Sequence, residues 1–97
     1  MPQVYLDHSA TTPVRKEVTE LMCEYLTTKF GNPSTVYSYG REAKRGLEKA
    51  REQVAGLIKA QPEEIIFTGG GTEADNLAIT GIAYAYAERG KHLITSA

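Results

Sequence analysis

The residue types best suited to chemistry are concentrated in IIFTGGGTEADN, Ile65 to Asn76. A β-branched and aromatic run, Ile65-Ile66-Phe67-Thr68, leads into Gly69, Gly70 and Gly71, then a hydroxyl at Thr72 and acids at Glu73 and Asp75. Glycine opens conformations closed to other residues and lets a backbone approach a ligand closely. Thr72 has the type of a helix N-cap, and Thr72-Glu73-Ala74-Asp75 fits the hydroxyl-x-x-acid form of a capping box. A helix starting there turns unpaired N–H groups and about half a positive charge toward the loop. Glycine amides, helix N–H groups and a threonine hydroxyl together make a phosphate cradle. A plain capped helix with a flexible entry loop accounts for the same residues, since Glu73 and Asp75 favour a helix N-terminus without any ligand. A phosphate in the loop requires both acids to point away from it.

No Gly-Lys-Ser/Thr follows the glycines, which argues against a nucleoside triphosphate. Gly69, Gly71 and Ala74 satisfy G-x-G-x-x-A, the dinucleotide pattern, if a strand precedes and a helix follows. That site wants an acid at the end of the next strand, where this chain has Ile94-Thr95-Ser96-Ala97. A NAD(P)-binding β-α-β unit is therefore the weaker reading. The remaining reactive side chains are scattered. Cys23 is a single cysteine beside the apolar face of a helix, where it reads as a small packing residue; no Cys/His spacing resembles a metal site.

Periodicity supplies the elements that position the loop. Val14, Val18, Leu21, Met22 and Tyr25 recur at helical steps, predicting a first helix from Val14 to about Tyr25. KFGNPST then turns. Ala43, Leu47, Ala50, Val54 and Leu57 form a narrow stripe on a long helix from Val36 to Lys59, with Gly46 and Gly56 where another element packs close. Charged residues such as Arg41, Glu42, Lys44, Glu48 and Arg51 form its solvated face. A third helix is predicted from Thr72 to Glu88, with Ile79, Ile82, Ala83 and Tyr86 on its inner face. Val4–Asp7, Ile65–Thr68 and His92–Ser96 read as strands, so the chain is of the α/β class.

The chain has 97 residues, with 11 basic and 12 acidic side chains and a net charge of -1. This balance gives no electrostatic basis for nucleic acid or an anionic membrane. No apolar run approaches membrane-spanning length, and the expected compartment is the cytoplasm.

Several blocks in register carry a resemblance: YLDHSATTPV, FGNPST, AREQVAGLI, EEIIFTGGGTEADNLAI and KHLITS. Together they are similar to cysteine desulfurases of the NifS/IscS type, class V aminotransferase-like enzymes of PLP fold type I. The resemblance implies the incomplete amino-terminal part of a PLP-dependent fold type I transferase, whose large domain is a three-layer α/β/α sandwich. Residues 1–30 would belong to the small domain and residues 31–97 would begin the PLP-binding large domain. In this family Gly71 and Thr72 correspond to the pair that holds the phosphate of pyridoxal 5′-phosphate. Ser9, Ala10 and Thr11 match the amino-terminal stretch near the substrate, with Ala10 and Thr11 as substrate-proximal residues, although a plain turn explains them equally well. Asn76 matches a recurrent family position and is expected to serve a local hydrogen bond. Gly69 and Ala74 stand where the family usually has serine, Tyr37 where it has histidine, and His8 where tyrosine or asparagine is commoner. His8 and His92 are read as structural or solvated.

The resemblance further implies L-cysteine as substrate, a sulfur acceptor such as an Fe–S scaffold protein, and a homodimer. The Schiff-base lysine, the aspartate on the pyridine nitrogen, the ring-stacking histidine, the persulfide cysteine and the carboxylate-binding arginine all fall beyond Ala97 in the family pattern. This chain alone is accordingly expected to be an inactive portion of such an enzyme. The alternative is a non-catalytic binding module that assembles with a complementary chain.

Overall fold

The computed structural model describes residues 1–96. They form two compact units, one spanning Met1–Pro62 and the other beginning at Glu63. The first unit holds α1 (Lys16–Thr27) and α2 (Ser38–Ile58), and the second holds α3 (Gly71–Ala85). A single 3₁₀ turn, Pro62–Glu64, lies at the division.

All three predicted helices form, with shifted ends. Arg15 is extended at the N-cap of α1, so Val14 precedes the helix. The far end of α1 closes as the Thr28 and Lys29 N–H groups both donate to the Glu24 carbonyl at 2.9 Å. Gly31-Asn32-Pro33 then bars continuation. Asn32 organises the turn: its Oδ1 accepts the Ser34 N–H at 2.9 Å, and its carbonyl accepts the Thr35 hydroxyl at 2.8 Å. Phe30 leans on Tyr39, with ring centroids 5.6 Å apart.

Small residues set the buried edge of α2. Gly40, Ala43 and Ala55 are its buried positions. A Cβ on Gly40 would collide with the Thr35 side chain and the Asn32 carbonyl, and one on Gly46 would collide with the Tyr25 ring. Gly46 therefore packs against α1 as its type suggested, whereas a Cβ on Gly56 meets nothing within 4 Å. The predicted stripe is only partly covered, since Leu57 remains 83% exposed. Ala55, absent from that stripe, is the most buried apolar residue at 2%. α2 ends in a Schellman motif: the Ala60 N–H donates to the Ala55 carbonyl at 2.9 Å and the Lys59 N–H to the Gly56 carbonyl at 3.4 Å. Lys59 takes the left-handed conformation (φ 58°), so it caps the helix from outside rather than continuing it.

The predicted strands differ from the structure. Val4–Asp7, Ile65–Thr68 and His92–Ser96 are in no ladder, and no strand occurs among the described residues. A helix completes its hydrogen bonds within one segment, but a strand needs a neighbour at its edge. The inner faces of α1 and α3 are likewise uncovered, and neither helix has a buried residue. Cys23 shares this exposure, which corrects its reading as a packing residue.

Two measurements follow from α1 and α2. Gly56→Ala is expected to raise stability by about 1 kcal/mol through helix propensity. Gly46→Ala is expected to gain clearly less, because Tyr25 must move; thermal melts followed by helical circular dichroism separate the two. The Glu24 carboxylate, bonded to Lys29 at 2.6 Å, raises the Lys29 pKa; nearby negative charge adds to this and desolvation opposes it. The folded state thus favours protonated Lys29. Its contribution should be complete below the ordinary lysine value and disappear as pH rises through the raised one. An NMR titration of the Lys29 side chain should show this elevation, and Glu24→Gln should remove it.

Candidate functional site

The glycine loop and the start of α3 lie within the second unit. α3 begins at Gly71 with Gly70 as N-cap, one residue before the expected start. Thr72 therefore occupies the second position of the first turn and makes no capping bond, which corrects the capping box placed on it. Its hydroxyl is exposed and has no hydrogen-bond partner among the described residues. The first hydrogen bond of the turn runs from the Ala74 N–H to the Gly70 carbonyl at 3.1 Å. The N–H groups of Gly71, Thr72 and Glu73 consequently precede the helical ladder.

Glycine's conformational freedom is not used here. Gly70 is extended (φ 171°), and none of the described glycines adopts the left-handed conformation. The lack of side chains instead leaves room: a Cβ on Gly70 or Gly71 would meet nothing within 4 Å. Beside this open surface, the Gly69 N–H donates to Glu73 Oε2 at 2.7 Å. Glu73 thus turns into the loop, whereas a phosphate bound there would require it to point away. It supplies the acidic half of a capping box, displaced by one residue toward the N-terminus. The spacing of four between Gly69 and Glu73 was the available signal, but it becomes informative only once α3 starts at Gly71. Asn76 serves a local bond, its Nδ2 donating to the Thr72 carbonyl at 2.8 Å.

Ala10 and Thr11 lie in the first unit, in a turn closed by bonds from both their N–H groups to the Asp7 carbonyl. The sequence reading missed the residue that fastens this turn. The Tyr5 hydroxyl reaches the Asp7 carbonyl at 2.8 Å and the Thr11 carbonyl at 3.1 Å. Ser9 Oγ donates to Asp7 Oδ1 at 3.0 Å. His8 is structural: its Nδ1 is hydrogen-bonded to Thr12 Oγ1 at 3.0 Å, and its ring stands edge-on to Tyr5. The two candidate pairs, Gly71 with Thr72 and Ala10 with Thr11, belong to different units. No cluster of His, Cys, Asp and Glu among the described residues could hold a metal ion. None of the described helices is long and apolar enough to cross a membrane.

The first turn of α3 is a set of outward N–H groups with a free hydroxyl, the donor arrangement of a helix-terminus anion site. Comparison with known proteins gives this arrangement its context. The class-V aminotransferase family pattern matches residues 4–97, and the chain belongs to that family. It is 55% identical over 94 residues to a cysteine desulfurase IscS of Dictyoglomus turgidum, covering 97% of this chain and 24% of that protein. A cysteine desulfurase IscS of Methanosarcina thermophila is 55% identical over 93 residues, covering 96% of this chain and 23% of that protein. The fold matches a solved structure named NifS-like protein with a TM-score of 0.84 and 39% identity, over 91% of this chain and 24% of that one. The fold is that of the PLP-dependent fold type I transferases, and the chain spans about a quarter of the length of these relatives. The dinucleotide reading has no β-α-β unit to rest on among the described residues.

Tyr5→Phe removes the hydroxyl that joins Asp7 to Thr11. Amide hydrogen exchange at Ala10 and Thr11 is expected to accelerate by about five- to tenfold, the scale of one net hydrogen bond. Exchange in α3 should be unchanged.

Proposed function

We propose that this chain supplies the phosphate-binding loop of a PLP-dependent cysteine desulfurase, with Gly71 and Thr72 holding the cofactor's phosphate. The observation that carries this reading is the open first turn of α3, with unladdered N–H groups, an unengaged Thr72 hydroxyl and clear space beside Gly70 and Gly71. This donor set suits a phosphate in kind: hydrogen-bond donors at the positive end of a 15-residue helix, where no cation is required. When bound, PLP supplies an electron sink for bonds at the substrate's α-carbon. The protein's share at this end of the cofactor is binding and orientation. The Gly71 and Thr72 N–H groups would donate to phosphate oxygens, and the Thr72 hydroxyl would add a third donor. Ala10 and Thr11 would lie near the substrate, on the turn that Tyr5 fastens.

The whole enzyme would convert L-cysteine to L-alanine and pass the sulfur on as a persulfide, to a scaffold protein for Fe–S assembly or to thiolation. It would act as a cytoplasmic homodimer. Residues 1–30 would contribute to its small domain and residues 31–97 to its PLP-binding domain. None of the lysines in this chain lies in a serine-x-histidine-lysine block, so the chain alone would not turn over L-cysteine. Assembly with a complementary chain is the second reading. It is favoured by the exposed apolar faces of α1 and α3, including Leu21, Met22, Ile79 and Ile82.

Pyridoxine 5′-phosphate and pyridoxine differ in the phosphate and lack the aldehyde that labels surface lysines. Calorimetry is expected to show the phosphorylated form binding more tightly, and Thr72→Val should weaken it by about tenfold while leaving pyridoxine unchanged. Equal affinity of the two compounds for the unmodified chain would overturn the phosphate assignment.

A further inference from the structure

We draw no further inference here: the strongest candidate, the apolar cleft between α1 and α2 lined by Leu21, Tyr25, Phe30, Leu47 and Ala50, carries none, because nothing in the structure shows what covers it.

Discussion

A backbone N–H or C=O group removed from water must find a partner, and much of this structure follows from which segments can provide their own. α1, α2 and α3 satisfy their interior groups by themselves. The segments with strand-like composition cannot, and they remain outside any ladder. The same rule creates the candidate site. A helix leaves its first N–H groups without internal partners, and at α3 these fall on Gly71, Thr72 and Glu73. The candidate anion site is therefore a direct consequence of where α3 begins.

Where the helix begins also decides the roles of its hydroxyl and its carboxylate. With Gly70 as N-cap, Thr72 is drawn into the first turn and its hydroxyl is free for a ligand. Glu73 comes within reach of Gly69 and accepts its amide N–H. A start at the next residue would have engaged Thr72 as the cap. The three glycines contribute by what they lack, since none adopts a left-handed conformation and the space beside Gly70 and Gly71 is clear.

The first unit obeys a different constraint, close approach. Gly40 and Gly46 let α2 meet the Asn32–Thr35 turn and the Tyr25 ring, and a side chain at either position would collide. Leu21, Tyr25, Phe30, Ala43, Leu47 and Ala50 line a cleft at this contact. Among the described residues, the buried hydrophobic side chains are Ala43 and Ala55. Relatives that share the fold are about four times longer, and the exposed faces of α1 and α3 lie in a chain that matches about a quarter of their length.

Helix positions were legible in the sequence because a period of three to four apolar residues needs no information beyond the segment itself. The FGNPST turn was legible for the same reason, as was the close contact at Gly46. Membership of the class-V aminotransferase family could be read from blocks in register, since each block carries local chemistry. Strand-like composition marked Ile65–Thr68 and His92–Ser96, but pairing is a property of two segments and cannot be decided by either. The exposure of Cys23, the unequal roles of Gly46 and Gly56, and the left-handed cap at Lys59 depended on what each residue faces. Tyr5 and Glu73 illustrate the division best. Their types were plain in the sequence, yet only the folded chain brings the Tyr5 hydroxyl to Thr11 and the Glu73 carboxylate to Gly69, because a hydrogen bond is settled by distances that the order of residues does not contain.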